Sequence, residues 1–204
     1  AVSVLGMNTV RSLVVSLSYQ QMISTRSQAQ KFRRTEFWSH SIGVAITSRI
    51  IGKMLMPQKA EELYLAGLMH DIGMLVLDRF LPTDLDVAMC AAQNRKLPLH
   101  MAEKLILEYD HAQVGGLLAE RWGLSKVISN AINHHHSVEN DHETQLTTSI
   151  VAIANNLTHK AGISNQESVA TDTLDQFALQ ILNITEEQLD VISQVMVQEV
   201  AKAQ

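Results

Sequence analysis

The stretch Leu65-Ala66-Gly67-Leu68-Met69-His70-Asp71-Ile72-Gly73 places a histidine and an aspartate side by side after an apolar helical run. Histidine is a common ligand of transition metals, and an adjacent carboxylate can bridge two ions. Adjacent helical residues point about 100° apart, so His70 and Asp71 cannot share one face of an ideal helix. They can serve one site if the helix unwinds there, which Gly73 permits. We therefore expect a break in the helix at this pair and a metal site around it.

The spacing of apolar residues on both sides of the pair predicts an all-α protein. Apolar residues recur at helical intervals along almost the whole chain, and no segment alternates as a half-buried strand does. Three prolines and nine glycines in 204 residues are few for a β protein with many turns. We predict a compact bundle of about nine or ten helices.

The predicted helices can be given bounds from their periodicity and their capping residues. Asp110 with Gln113, and Thr185 with Gln188, have the spacing of a capping box, and Gly123 and Gly162 suit helix ends. The helices are expected at about 9–30, 34–56, 58–69, 74–80, 83–94, 98–108, 111–122, 126–136, 144–161, 173–182 and 185–202.

Composition and charge argue against several classes of partner and location. The net charge of −5 is unlike that of a general nucleic-acid binder, and we interpret the basic run at 31–34 as the solvated start of a helix. No apolar run approaches the roughly 18 residues of a membrane span, and a signal peptide is not evident. The single cysteine, Cys90, cannot form an internal disulfide. We expect a cytoplasmic protein that binds neither nucleic acid nor membrane.

The first residues of the chain suggest a piece of a longer protein. The run Ala1-Val2-Ser3-Val4-Leu5-Gly6 resembles the end of an apolar helix, and position 1 is not a methionine. The apolar residues 2–5 are compatible with an upstream domain or with a homodimer.

Further histidines upstream and downstream of the pair are candidate ligands. His40 lies mid-helix among apolar residues and needs a polar partner, which Glu36, one turn earlier, can supply unless it is itself a ligand. His111 lies in the first turn of its helix, where the dipole disfavours a protonated imidazole. His135 and His136 close a helix, where a frayed turn can aim both inward. The predicted metal ligands are His40, His70, Asp71, His111, His135 and His136, with Glu36 as an accessory candidate.

Each of these residues also has an ordinary structural explanation. A single mid-helix histidine is more often a hydrogen-bonded structural residue, and Asp71 can cap the helix that follows it. The candidates are far apart in sequence, so only the fold can bring them together. We interpret His134 as a solvated neighbour and His100, His142 and His159 as surface residues.

The histidines and the His-Asp pair, in this order on an all-α chain, resemble the HD superfamily and, more closely, its regulatory branch, the HDOD domain. The segments that carry the resemblance are 37–41, 66–73, 111–115, 118–124 and 131–136. It spans about residues 1–162, and the chain opens where the family's N-terminal helices would be ending. Residues 163–204 are expected to form a C-terminal helical extension packed on this domain. The resemblance implies bacterial signal transduction.

Three departures distinguish the chain from the hydrolases of that superfamily. Asn155 stands where they carry a late aspartate ligand, so the resemblance makes it an accessory candidate. A neutral amide is a poor replacement for a carboxylate that holds cations. Met74 stands where the cyclic-dinucleotide phosphodiesterases place a lysine. Their Gly-Tyr-Pro motif after the paired histidines is replaced by the run Ser137-Val138-Glu139-Asn140.

These features favour a non-catalytic HDOD signalling module that binds regulatory protein partners or a small ligand. A divalent ion (Fe, Mn, Zn or Mg) is a candidate cofactor, and no residue is assigned as catalytic. The alternative is a metal-dependent phosphohydrolase, in which a metal-bound water attacks the phosphorus of a nucleotide or cyclic dinucleotide. A third interpretation is a structural helical domain whose histidines have no present role.

Overall fold

The computed structural model describes residues 19, 21, 26–164 and 174–203, and over these residues the chain is all-α, as predicted. There it has ten α-helices: α1 (Arg34–Leu55), α2 (Ala60–Met69), α3 (Ile72–Phe80), α4 (Pro82–Arg95), α5 (Leu99–Leu107), α6 (His111–Arg121), α7 (Lys126–His134), α8 (Gln145–Lys160), α9 (Gln176–Leu182) and α10 (Glu186–Ala203). Short 3-10 turns cover Pro57–Lys59 and Val138–Asn140. Within the described part of the chain, no helix is both long and apolar enough to cross a bilayer.

The helices pack around one main core. Helix α1 packs along α2, α8 lies against both, and α7 contacts α2, α6 and α8. Fully buried side chains from these helices fill the centre, among them Phe37, Leu68, Ile132 and Ile150. Each such residue stabilises the fold by roughly 1.5–3 kcal/mol through burial. Helix α9 contributes to the same core, and α10 packs on α1.

The predicted capping residues fix where several helices begin and end. The Asp110 carboxylate accepts a hydrogen bond from the Gln113 N–H at 2.9 Å, and the Gln113 side chain accepts one from the Asp110 N–H at 3.1 Å. This capping box makes His111 the first residue of α6. Gly123 and Gly162 follow helix ends with φ of +64° and +78°, a left-handed conformation that favours glycine.

The break predicted at the His-Asp pair is present, but Gly73 has another role than the one expected. Helix α2 ends at Met69 and α3 begins at Ile72, with His70 and Asp71 between them. Gly73 lies inside α3, where it lets α6 approach closely. A Cβ there would overlap the His111 carbonyl and lie 2.8 Å from the Gly115 nitrogen.

The helix predicted at 9–30 extends too far, because the described residues 26–33 are not helical. Asp78 of α3 holds this segment: its Oδ1 accepts hydrogen bonds from the Ser27 hydroxyl at 2.7 Å and from the Gln28 and Ala29 N–H groups at 2.9 and 2.8 Å. Its Oδ2 accepts from Arg34 Nε at 3.1 Å. The backbone therefore bonds to a side chain of α3 instead of continuing a helix. Of residues 9–25, the structure describes only 19 and 21, and both are helical. The apolar residues 2–5 and most of the linker at 163–172 lie outside the described residues.

These contacts also change the acidity of Asp78. They bear as well on whether the basic run at 31–34 is solvated. Burial alone raises the pKa of Asp78, but the hydrogen bonds from Ser27, Ala29 and Arg34 outweigh it and hold that pKa below the ordinary 3.8. Phe32 is buried, and the Arg34 guanidinium is only 10% exposed in its ion pair with Asp78. The start of α1 is thus anchored to α3 through Arg34, whereas Lys31 and Arg33 of the basic run are exposed, as expected.

Replacing Asp78 by asparagine is expected to lower the free energy of unfolding by about 3 kcal/mol at pH 7, because a buried arginine loses its counter-ion. A carboxyl with a lowered folded-state pKa contributes stability above its unfolded pKa and loses it as the pH falls. The difference between wild type and Asp78→Asn should therefore shrink below about pH 4. Denaturant unfolding at pH 7 and at pH 3.5 measures both values.

Asp86→Asn is the matched control, since Asp86 is only half-buried and accepts the Gln30 and Lys31 N–H groups of the same segment through exposed hydrogen bonds. We expect it to cost under about 1 kcal/mol. If the two variants lose the same free energy of unfolding, then burial and the Arg34 ion pair do not make Asp78 more stabilising than Asp86.

Gly73→Ala is expected to destabilise the protein by about 3 kcal/mol or more, because the added methyl group meets the backbone of α6 rather than a movable side chain. Gly52→Ala is its control: there the Cβ would lie 2.8 Å from a side-chain atom of Leu63 and 3.3 Å from the nearest backbone atom, the Ala60 Cα, so the overlap is smaller. Thermal melts should show a much larger fall in Tm for Gly73→Ala. A similar Tm in both variants would contradict the close approach of α3 and α6.

Candidate metal centre

The fold brings the six predicted metal ligands together, with the Asp71 carboxylate between imidazoles. Asp71 Oδ1 lies 3.1 Å from His111 Nε2 and 3.4 Å from His135 Nε2. Asp71 Oδ2 lies 3.2 Å from His70 Nε2 and 3.9 Å from His40 Nε2. These four histidines come from α1, the ends of α2 and α7, and the start of α6. Asp71 occupies the N-cap position of α3, but its side chain makes no capping hydrogen bond there.

The ligand atoms fall into two groups that share Asp71. Within each group, the atoms lie within 4.8 Å of one another. One group consists of Asp71, His111, His135 and His136, and the other of His40, His70 and Asp71. We call them the His111 group and the His40 group. His136 joins the first through its Nε2, which is 3.1 Å from His111 Nε2.

Backbone carbonyls orient three of the imidazoles. The Nδ1 atoms of His70 and His135 each donate at 2.8 Å to the carbonyl three residues earlier, and His40 Nδ1 donates at 2.8 Å to the Ile163 carbonyl. Because a carbonyl only accepts, the hydrogen of each ring sits on Nδ1, and the Nε2 lone pair is directed at Asp71. These three Nε2 atoms are buried and have no hydrogen-bond partner among the described residues.

His111 is oriented by a carboxylate instead of a backbone carbonyl. The sequence analysis missed the residue that supplies it. Glu103 of α5 is fully buried, and its Oε2 accepts hydrogen bonds from His111 Nδ1 at 2.6 Å and from the His111 N–H at 2.9 Å. One sequence signal could have found it. Glu103 stands four residues from both Leu99 and Leu107, so it shares the apolar face of its helix.

The charges of the site follow from burial and from these two carboxylates. Burial, followed by neighbouring histidines, holds the pKa of His40 well below the ordinary 6.5. Burial alone also lowers the pKa of His111, but Glu103 and Asp71 outweigh it and raise that pKa well above 6.5. The two carboxylates therefore outweigh the helix dipole, which was expected to disfavour a protonated His111. Burial alone raises the pKa of Asp71, but His70 and His111 hold it well below its ordinary value.

Two histidines interpreted as surface residues lie against the cluster instead. The ring of His100 stacks on that of His136 with centroids 4.1 Å apart, and the ring of His159 lies 4.4 Å from that of His40. Both are half-buried. Burial lowers the pKa of His100 to about 4. The rings of His100 and His159 therefore extend the cluster, the first beside the His111 group and the second beside the His40 group.

The two accessory candidates have different surroundings. The Glu36 side chain is 40% exposed and pairs with Arg33 at 3.2 Å, so the partner of His40 is the Ile163 carbonyl and not Glu36. Asn155 is buried, and its Oδ1 accepts no hydrogen bond from the described part of the chain. It lies on α8 one turn before His159.

The donor set is compatible with a metal ion. With metal–ligand bonds of about 2 Å, neighbouring ligand atoms around one ion lie about 3 Å apart, as the atoms of His70, His111 and His135 do from Asp71. The buried Nε2 atoms without a partner are the atoms that an ion would bind. Several imidazoles with one carboxylate suit a transition metal better than Mg²⁺, which prefers oxygen ligands.

Relatives of this chain share its fold at low identity. A solved HDOD domain protein of unknown function from Geobacter sulfurreducens has a TM-score of 0.77 at 22% identity, covering 99% of this chain and 69% of that one. A Shewanella amazonensis protein, named provisionally as a phosphohydrolase, has a TM-score of 0.72 at 21% identity, covering 97% of this chain and 71% of that one. A Marinobacter aquaeolei protein, named provisionally in signal transduction, has a TM-score of 0.78 at 18% identity, covering 97% of this chain and 44% of that one.

The sequence comparisons define the family. An uncharacterized protein of Treponema pallidum (strain Nichols) is 24% identical over 199 residues. The alignment covers 96% of this chain but only 37% of that relative's length. Residues 1–138 match the HDOD domain family, in agreement with the resemblance carried by the histidine motifs. The chain therefore belongs to the HDOD domain family.

Proposed function

We propose that this chain is a regulatory HDOD module that binds a divalent transition-metal ion in its buried cluster and acts through partner proteins rather than by turning over a substrate. The observation that carries the proposal is the set of four imidazole Nε2 atoms directed at the Asp71 carboxylate. The metal, the partners and the location in a bacterial cytoplasm are all parts of this proposal.

The unpaired nitrogens support a bound ion. His40, His70 and His135 each bury an Nε2 atom without a hydrogen-bond partner among the described residues. A buried polar atom without a partner costs about 1–3 kcal/mol. An ion bound at these atoms offsets that cost, since each lone pair then forms a metal–ligand bond. We expect Fe, Mn or Zn rather than Mg, because nitrogen donors outnumber oxygen donors.

The surroundings of the cluster support a role without turnover. The side chains that point at Asp71 are almost fully buried, and His136 is the half-buried member of the six. Met74 is fully buried, and neither Met74 nor Asn155 carries charge. A phosphoester is anionic, and its transition state is stabilised by positive groups beside the metal. The chain has the thioether of Met74 where the cyclic-dinucleotide phosphodiesterases of the superfamily place a lysine, and the amide of Asn155 where its hydrolases place an aspartate.

The phosphohydrolase alternative keeps one argument, which is the donor set itself. An ion at this site would supply an activated water for attack on phosphorus. The structural relatives named above point in both directions, one toward signal transduction and one toward hydrolysis. Protein partners, including a second copy of the chain, fit the regulatory proposal. A module that turns over no substrate must transmit a signal by binding to another protein.

Elemental analysis of the protein, purified without added metal or chelator, is expected to find at least one transition-metal ion per chain. Asp71→Ala should lose that metal, because Asp71 is shared by both ligand groups. Asp190→Ala, the same change at an exposed position of α10, should retain it. Equal metal content in the two variants would contradict the site. Absence of metal, together with an unchanged Tm in His70→Ala, would favour the structural interpretation.

Turnover of nucleotide monoesters and cyclic dinucleotides in the presence of Mn²⁺, Fe²⁺ or Mg²⁺ is expected to be no faster for the wild type than for Asp71→Ala. The reason is that the ligand set is buried and that neutral Met74 and Asn155 replace the charged residues of the hydrolases. Phosphate release and product chromatography provide the measurement. Hydrolysis that Asp71→Ala abolishes and Asp190→Ala retains would establish the phosphohydrolase alternative instead.

A further inference from the structure

We infer that Glu103 is a positioning residue that strengthens one side of the metal centre, so that the His111 group holds its ion more tightly than the His40 group does. This inference rests on the proposed metal binding and extends it to a residue outside the ligand set. It assigns Glu103 no contact with the ion and makes the two groups unequal.

Glu103 fixes His111 at two points. Oε2 accepts from the ring Nδ1 at 2.6 Å and from the backbone N–H at 2.9 Å. With its ring and backbone both held, His111 directs Nε2 at Asp71 Oδ1, 3.1 Å away. A ligand that is already oriented loses less conformational freedom when an ion binds.

The two ligand groups differ in the acceptor of their Nδ1 hydrogen bonds. His40 and His70 donate through Nδ1 to neutral carbonyls at 2.8 Å, whereas His111 donates to a carboxylate. A hydrogen bond to an ionised acceptor is roughly twice as strong as one between neutral groups. A carboxylate behind a ligating histidine also makes the ring a stronger donor to the metal. The His111 group therefore has the stronger imidazole ligand.

Among the described residues, Glu103 has no charged partner other than His111. Its side chain is fully buried, and Oε1 accepts no hydrogen bond among the residues that the structure describes. Neighbouring Lys104 points away and pairs with Asp110 at 2.9 Å. Burying a carboxylate costs several kcal/mol, and an apolar side chain would fill the same space without that cost. The contacts with His111 are what offset it.

A purely structural role is the competing explanation, because Glu103 also accepts the first N–H of α6. Glu103→Gln separates the two roles. Glutamine keeps the size and an acceptor oxygen for the His111 N–H, but it removes the negative charge behind the ring. Under a capping role the variant would bind metal normally, and under the positioning role it would not.

The experiment is a calorimetric titration of metal-free wild type and Glu103→Gln with Zn²⁺, each checked by far-UV circular dichroism and by its metal-free Tm. We expect Glu103→Gln to weaken the tighter zinc site by about 10- to 100-fold. A second, weaker site, where the wild type shows one, should change by less than about 2-fold, because His40 and His70 keep their carbonyl partners. Glu62→Gln is the matched control, as Glu62 is a half-buried glutamate that accepts the Ser125 hydroxyl.

The outcomes separate this inference from the proposed function. A wild type that binds no zinc would overturn both. A wild type that binds zinc with the same affinity as Glu103→Gln would overturn the inference alone, as would equal weakening of two sites.

A double-mutant cycle with His111→Ala adds a readout that a structural role would not move. If Glu103 acts through His111, then Glu103→Gln should leave the zinc affinity of the His111→Ala variant unchanged. A further loss of affinity in the double variant, equal to the loss in the single variant, would contradict the inference.

Discussion

Asp71 is only 4% exposed, and its carboxylate lies within 4 Å of imidazole nitrogens on, or directly after, four different helices. A buried carboxylate destabilises the fold unless it is paired. The packing of these helices must therefore also bring the imidazoles to Asp71. The break between α2 and α3 places Asp71 at this meeting point. The glycine at position 73 then lets α6 come close enough for His111 to reach the carboxylate.

The second layer of contacts links the site to the rest of the fold. The Nδ1 hydrogen bonds of His70 and His135 stay within their own helix ends, but that of His40 reaches Ile163, just beyond α8. Ile163 also packs against the small apolar cluster of Ile46, Met196 and Val200, through which α10 rests on α1. The orientation of one imidazole is therefore set by residues that also position the C-terminal helix.

Local patterns were sufficient to predict the helices and the ligand candidates, but not the contacts that link helices. Apolar periodicity, capping boxes and the His-Asp pair depend on neighbours in sequence, and the structure agrees with them to within a few residues over most of α1–α10. Glu103, His100 and His159 were missed or misinterpreted because their partners lie on other helices. The helix at 9–30 was drawn too long for the same reason, since Asp78 competes from α3 for its backbone N–H groups.

The charges of the site bear on how many ions the ligand set can hold and on why its two groups should differ in affinity. The cluster contains two carboxylates, Asp71 and Glu103, and both contact His111. One divalent ion neutralises two negative charges, and a second would leave excess positive charge in a buried site, where charge is expensive. The neutral amide at Asn155 and the thioether at Met74 supply nothing to offset it. A centre with one tightly held ion beside His111 is therefore the arrangement that these charges favour, and it differs from the paired ions that phosphoester hydrolysis commonly uses.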